Sequence, residues 1–178
     1  MSRLRREAVL RRVTEWEMPV CLLLNRAVRR QGVRRFFGIV SRLGNGVVWY
    51  SLAAGLLLLG PAAHVRALVQ MALTGSCCLS VYKLLKLRTT RLRPFEVNEE
   101  ISLSVAPLDR YSFPSGHTMH AVCFTIVIAS HYPHLAWVLA PFTGLVMLSR
   151  LVLGLHYPTD VLAGAGIGTA AALLALQL

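Results

Sequence analysis

The sequence predicts an all-α integral membrane protein, a single-domain helical bundle with about five transmembrane helices. Hydrophobic residues form 55% of the 178-residue chain and charged residues only 15%, a composition typical of membrane proteins. Uncharged apolar stretches recur after residue 46, separated by charged or proline-containing breaks. Lys and Arg outnumber Asp and Glu by 19 to 8, as expected of basic residues that flank spans and meet anionic headgroups.

The excess of positive charge does not predict a nucleic-acid partner. The chain shows no recognised nucleic-acid-binding motif, and most of its length is apolar. The lipid bilayer is therefore the expected partner of the basic residues.

Residues 1–45 form a basic segment that we expect to lie at the membrane surface. Its apolar residues come in short groups, and no uninterrupted run is long enough to cross a bilayer. Arginines interleaved with such groups are typical of an amphipathic interfacial segment. A re-entrant or spanning helix within residues 16–40 is the alternative. The arginines of the segment are Arg3, Arg5, Arg6, Arg11, Arg12, Arg26, Arg29, Arg30, Arg34, Arg35 and Arg42.

Residues 46–178 contain the apolar segments of the bundle. The predicted spans are residues 47–59, 67–82, 116–131, 135–153 and 158–178, the last of them uncharged from residue 161 onwards. Residues 83–115 are too polar and basic to be buried in lipid, so we expect them to form a loop between spans two and three. Small residues in the last span predict close contact with a neighbouring helix; they are Ala163, Gly164, Ala165, Gly166 and Gly168.

The predicted spans place nearly all of the positive charge on one face of the membrane. Two spans separate residues 1–45 from residues 83–115, so both segments lie on the same face, and the turn before Asp160 returns to it. That face carries every Lys and Arg except Arg66. The positive-inside rule therefore predicts that it is cytoplasmic. A spanning helix within residues 16–40 would reverse this orientation.

Three clusters of polar residues lie on the basic face, and together they predict phosphoryl transfer. Cations and N–H donors stabilise the charge that spreads over a phosphoryl group in transfer. The first turn of a helix offers unpaired N–H groups to a phosphate, and two histidines can act as nucleophile and general acid. The clusters are Lys86, six residues, then Arg93-Pro94; Pro114-Ser115-Gly116-His117; and Ser149-Arg150, five residues, His156, three residues, Asp160.

The order and spacing of these clusters resemble the signature of the type 2 phosphatidic acid phosphatase family, which is related to vanadium haloperoxidases and bacterial acid phosphatases. The resemblance covers residues 86–160 and fills every position of the signature. It implies an all-helical bundle that hydrolyses phosphate esters without a metal or other cofactor. The sequence agrees, because it has no carboxylate cluster suited to Mg²⁺.

The resemblance also implies a role for each residue of the signature. His156 would be the nucleophile that forms a phosphohistidine, with Asp160 as its partner and His117 as the general acid. The phosphate cradle would consist of Lys86, Arg93, Ser115, Gly116 and Arg150. Membrane members of the family usually have six spans and an external site, so the resemblance and the charge asymmetry predict opposite faces.

The remaining charged residues near the predicted loop have no implied catalytic role. They either attract anionic headgroups or form a solvated surface, and Asp109 is a candidate ion-pair partner for an arginine among them. The basic residues of this group are Lys83, Arg88, Arg91 and Arg110.

We therefore predict a membrane lipid phosphatase that hydrolyses a lipid phosphate monoester or diphosphate. Phosphatidate-like lipids and polyprenyl diphosphates are the leading substrate classes, with the lipid tail entering between the helices. One alternative is a phosphotransferase that moves the phosphate from the same phosphohistidine to a lipid or sugar acceptor. The other is a non-enzymatic binder of anions or lipids, which would not require two histidines and a carboxylate.

Overall fold

The computed structural model describes residues 3–59 and 64–178, and within these ranges every regular element is a helix. The predicted all-α class is thus confirmed. The α-helices are α1 (Arg3–Asn25), α2 (Gln31–Arg42), α3 (Val48–Leu59), α4 (His64–Thr89), α5 (Pro94–Val97), α6 (Gly116–His131), α7 (Ala136–Val152) and α8 (Pro158–Ala175). Residues 1, 2 and 60–63, which begin the predicted interfacial segment and follow span one, lie outside the described residues.

Three segments of the described chain are long and apolar enough to cross a bilayer. They are His64–Val97, which contains predicted span two, and Pro133–Val152 and Pro158–Ala175, which overlap predicted spans four and five. Helix α6, with 16 residues, and α3, with 12, coincide with spans three and one but are shorter than a typical spanning helix. The integral membrane class is supported, and the count of five spans stays a prediction.

Helix α4 continues beyond the end of the predicted second span. Leu84, Leu85 and Leu87 alternate with basic residues there, and all are good helix formers, so nothing stops the helix at Tyr82. The helix ends at Thr89, and Thr90 takes a positive φ of 40°. The first motif consequently begins on the last turn of a helix, with Lys86 buried there, rather than in a loop.

The predicted interfacial segment folds into α1 and α2, which pack against α7. The buried Asn25 side chain ties the end of α1 to the end of α7, because its Nδ2 donates to the carbonyl of Val152 (3.0 Å). Large apolar side chains remain on the outer surface, including Trp16, which is 81% exposed, and Phe36. This outward mixture of arginines and aromatic residues suits a membrane interface, and its placement there stays a prediction.

Helix α6 lies at the centre of the bundle, packed against α8, α4 and α7. The predicted small-residue contact of span five is with this helix. A Cβ atom on Gly168 would lie 2.5 Å from the carbonyl oxygen of Met119, and one on Gly164 would lie 2.6 Å from that of Ser115. Both glycines therefore allow α8 to touch the backbone of the segment that carries the second motif.

We expect Gly168→Ala to destabilise the protein by about 1–3 kcal/mol, because the added methyl group must push α8 away from the backbone of α6. Thermal unfolding of the purified protein in detergent measures the effect. Gly166→Ala is the matched control, since no atom lies within 4 Å of a Cβ added there. Equal melting temperatures for the two variants would contradict the proposed close contact.

Candidate active site

The three motifs meet at one end of the bundle, where α4 and α7 end and α6 and α8 begin. The backbone N–H of Ser115 donates to the carbonyl of Asp160 (3.1 Å), which joins the second motif to the third. Arg93 Nη1 lies 3.3 Å from His156 Nε2, which joins the first motif to the third. The structure thus brings the predicted site residues of all three motifs into one cluster.

The turn between α7 and α8 explains the spacing of the third motif. The backbone N–H groups of Leu155 and His156 both donate to the carbonyl of Arg150, at 3.1 and 3.2 Å. Gly154 allows this reversal with a φ of +73°, a left-handed conformation that glycine adopts without steric cost. The five intervening residues therefore return His156 to the end of α7, beside Arg150.

Asp160 lies in the first turn of α8 and is completely buried. Its Oδ2 accepts a hydrogen bond from the N–H of Tyr157 (2.9 Å), and Oδ2 also lies 3.7 Å from His156 Nδ1. That second separation is within ion-pair reach but beyond a hydrogen bond. His156 therefore has Nδ1 towards Asp160 and Nε2 towards Arg93. In this orientation a carboxylate stabilises the charge that develops on an imidazole whose other nitrogen reacts.

The surroundings of His156 favour its neutral form. Burial lowers the pKa of the imidazole from 6.5 to about 4, with Arg150 and Arg93 acting in the same direction and Asp160 opposing them. A neutral imidazole keeps a free lone pair on one nitrogen. His156 is thus held in its neutral form at neutral pH.

Lys86 and Arg93 share the carboxylate of Asp109. Lys86 Nζ pairs with Asp109 Oδ1, Arg93 Nη2 donates to the same oxygen (2.8 Å), and the Tyr82 hydroxyl group donates to Oδ2. Burial raises the pKa of Asp109, but hydrogen bonds from Lys86 and Tyr82 outweigh it and hold the pKa below its usual range. Both cations are thus positioned around a single anionic oxygen, an arrangement that also suits a phosphate oxygen.

Arg150 is the cation with the fewest partners in the site. Its side chain is only 3% exposed, yet among the described residues its guanidinium bonds only the hydroxyl group of Ser41, and its Nε atom has no partner. Burying an uncompensated charge is unfavourable. The arrangement is therefore suited to an anion bound beside His156.

The second motif forms the start of α6. Ser115 is completely buried and immediately precedes the helix, and its Oγ lies 3.0 Å from Thr118 Oγ1. Gly116 lets the ring of Tyr82 approach, since a Cβ there would lie 2.7 Å from that ring. His117, in the first turn, is within electrostatic reach of Arg150 and His156. The helix N-terminus and a second histidine thus lie beside the cation cluster.

A groove of about 510 Å³ extends from His117 into the apolar part of the bundle between α3, α4 and α6. Exposed side chains on its wall, such as Tyr50 and Leu79, show that it reaches the outer surface of the bundle. Other residues of the wall are Trp49, Met71, Gly75 and Phe124. A polar end and an apolar length together fit an amphiphile with a phosphate head and a hydrocarbon tail.

The family model of the PAP2 superfamily matches residues 63–178. The chain belongs to the PAP2 superfamily. The predicted family is thereby confirmed, since this superfamily is that of the type 2 phosphatidic acid phosphatases.

Named phosphatases are among the PAP2 proteins that the chain resembles. It is 28% identical over 141 residues to the undecaprenyl-diphosphatase of Sulfolobus acidocaldarius, covering 78% of this chain and 67% of that protein. It is 32% identical over 138 residues to the decaprenylphosphoryl-5-phosphoribose phosphatase of Mycolicibacterium smegmatis, covering 76% and 73%. The crystal structure of Aquifex aeolicus LpxE matches with a TM-score of 0.80 at 27% identity, covering 92% of this chain and 96% of that one.

These similarities assign the PAP2 chain to an enzyme class. The chain is a hydrolase of phosphoric monoesters or diphosphates, and its named relatives are phosphatases of lipid phosphates. Its apolar helices and its family make it an integral membrane protein.

Sequence reasoning missed two features of this PAP2 site. Asp109 pairs with the cradle cations Lys86 and Arg93 and not with an arginine of the surface group. Arg91 is buried against Asp160 and Glu17, so its predicted surface role is wrong. Both result from long-range packing, and the only local signal was the position of Arg91 inside the first motif.

Proposed function

We propose that this PAP2 protein is a metal-independent lipid phosphatase that works through a phosphohistidine on His156. The observation that carries the proposal is the buried guanidinium of Arg150, which lies beside His156. Among the described residues this guanidinium has only a hydroxyl group as its partner. A phosphate oxygen supplies the negative charge that such a cation requires. Together with Lys86 and Arg93, Arg150 would give the site three cations. These would stabilise the transferring phosphoryl group without a metal.

In the proposed first step, the Nε2 lone pair of His156 attacks phosphorus. An N–P bond forms as the bond between phosphorus and the leaving oxygen breaks, and His117 transfers a proton to that oxygen. In the second step, water attacks phosphorus and gives a proton to His117, the N–P bond breaks, and inorganic phosphate leaves. Asp160 stabilises the positive charge on the imidazole in both steps.

We propose that the substrate is a lipid whose tail occupies the groove beside His117. The groove is mainly apolar and reaches the surface of the bundle, so a tail can enter from the bilayer. Polyprenyl phosphates and diphosphates are the favoured class, because both curated relatives named above act on polyprenyl lipids by name. Phosphatidate-like lipids are the second class that the groove accommodates.

Phosphate release by the purified protein in detergent, with a metal chelator present, tests this function. A polyprenyl diphosphate and phosphatidate would be compared, with a His156→Ala protein as the blank. Release that persists in chelator and is absent from the blank is expected. Activity that the chelator abolishes would contradict the metal-free mechanism, and phosphate recovered on an acceptor instead of in solution would indicate a phosphotransferase.

Narrowing the groove should impair long-tailed substrates selectively. We expect Ser76→Leu, on the groove wall of α4, to lower kcat/KM for a long-chain lipid phosphate about tenfold, since overpacking costs about 1–3 kcal/mol. A short-chain dioctanoyl phosphatidate should be much less affected. Ser80→Leu is the matched control, because Ser80 is also exposed on α4 but does not line the groove. Equal losses for both tail lengths would argue against the groove as the tail site.

We propose that the active site faces the cytoplasm, because the arginine-rich segment and the site lie at the same end of the bundle. A membrane-impermeant maleimide applied to sealed vesicles of either orientation tests this. Arg110→Cys should be labelled from the cytoplasmic side and Arg66→Cys from the opposite side, since both positions are exposed. The reverse pattern would place the site outside.

A further inference from the structure

Arg91 is a buried arginine that bridges two carboxylates. Its side chain is only 5% exposed, and its guanidinium lies 3.9 Å from the centre of the Tyr157 ring. Nη1 donates to Asp160 Oδ1 and Nη2 donates to Glu17 Oε2, each at 2.7 Å. The guanidinium fork is therefore engaged on both sides, once by the third motif and once by helix α1.

Glu17 links α1 to the start of α8 in a second way. Its Oε1 accepts a hydrogen bond from the backbone N–H of Thr159 (2.6 Å), and its Oε2 accepts one from the hydroxyl group of Thr159 (2.8 Å). The carboxylate thus meets an unpaired donor of the first turn of α8. Helix α1 thereby holds both Arg91 and the turn that carries Asp160.

These contacts fix the orientation of the Asp160 carboxylate. Arg91 occupies Oδ1, while Oδ2 faces the N–H of Tyr157 and Nδ1 of His156. Without Arg91, the carboxylate could rotate about its last side-chain bond and present either oxygen to His156. The charges of Arg91 and Glu17 offset each other, so the negative charge of Asp160 remains available to the imidazole.

We propose that Arg91, held by Glu17, is a positioning residue for Asp160, and that α1 is therefore part of the catalytic unit. The inference rests on the proposed function, in which Asp160 stabilises His156 during the reaction. In this proposal Arg91 has a different role from the cations of the phosphate cradle, because it orients Asp160 and does not bind the phosphate. Both terminal nitrogens of the Arg91 guanidinium are paired with carboxylates, and only its buried Nε has no partner among the described residues, so Arg91 has no free pair of N–H donors for a phosphate.

Steady-state kinetics test the proposal. The substrate is the polyprenyl diphosphate or phosphatidate, whichever the wild-type protein hydrolyses faster. Arg91→Gln should lower kcat about 10- to 100-fold, by analogy with the loss seen when the hydrogen-bonding partner that orients a metal-ligating side chain is removed. KM and the inhibition constant of inorganic phosphate should change little, because Arg91 does not contact the phosphate. Arg91→Lys should recover only part of kcat, since an ammonium group cannot bridge two carboxylates as a fork. Arg88→Gln, at an exposed position of α4, is the matched control.

A double variant separates positioning from stability. Arg91→Gln leaves two buried carboxylates without their cation, so a lower melting temperature is expected. Adding Glu17→Gln removes one of these charges and should restore part of the melting temperature while kcat stays low. Recovery of kcat together with stability would show a merely structural role and overturn the proposal.

The outcome for His156→Ala distinguishes the proposal from the function on which it rests. An inactive His156→Ala protein together with wild-type kcat in Arg91→Gln would overturn the role of Arg91 alone. An active His156→Ala protein would overturn the proposed function and this inference with it.

Discussion

Replacing His156 with alanine should lower phosphate release by about 10⁴-fold or more, the loss expected when a nucleophile of covalent catalysis is removed. The side chain presents Nε2 to Arg93 at 3.3 Å and Nδ1 to Asp160, and no other described histidine has both neighbours. Asp160→Asn should cause a large loss as well, because an amide cannot stabilise the imidazolium as a carboxylate does. Phosphate release by each purified protein, normalised to folded protein, measures the effect.

His134→Ala provides the control for this prediction. His134 is exposed and lies between α6 and α7, at the end of α6 opposite to His117. It should retain wild-type activity. Full activity of either the His156 or the Asp160 variant would refute the phosphohistidine mechanism, whatever the substrate.

Replacing Arg150 with methionine should lower kcat/KM by about 10²- to 10³-fold, the size of effect seen when a donor to a transition-state oxygen is lost. The same change should maintain or raise the stability of the protein. The guanidinium is buried, and its only described partner is Ser41, so an apolar side chain of similar length removes an uncompensated charge. A gain in stability with a loss of activity is the mark of a residue retained for its ligand.

Thermal unfolding with and without inorganic phosphate checks this second prediction. Phosphate should raise the melting temperature of the wild-type protein, because it binds only the folded chain, and should have less effect on Arg150→Met. Ser41→Ala is the control, since it removes the hydroxyl partner but keeps the cation. A strongly destabilised Arg150→Met protein with normal phosphate binding would show that Arg150 serves the fold and not the ligand.

The third motif shows how much of the site could be predicted from local sequence. Arg150 and His156 meet because a single turn through Gly154 returns the chain to the end of α7. Asp160 follows in the first turn of α8, which Pro158 begins. A short spacing within one turn allows few arrangements of the side chains. The spacing of the third motif therefore predicted that Arg150, His156 and Asp160 lie close together. The helical class likewise followed from the long apolar segments.

The partners of the charged residues could not be predicted in the same way. Arg91 lies among basic residues that the sequence suggested were solvated, yet it bridges Asp160 and Glu17, which are 69 and 74 residues away. The local sequence does not reveal that Glu17 is buried while Glu15, two residues earlier, is not. Glu15 is exposed and pairs with Arg11 on the same helix. Only the position of α1 on the bundle distinguishes them.

The sequence by itself determined the helical class, the three motifs and the family. Those features depend on composition and on spacings within one helix or turn. The tertiary structure decided that α4 carries Lys86 on its last turn, that Asp109 lies between Lys86 and Arg93, and that α1 supports Asp160. Which charged residues pair depends on which distant segments of the chain are buried against each other. An exposed ion pair contributes little, whereas a buried charge is strongly destabilising without its partner, so burial fixes the pairs that organise the site.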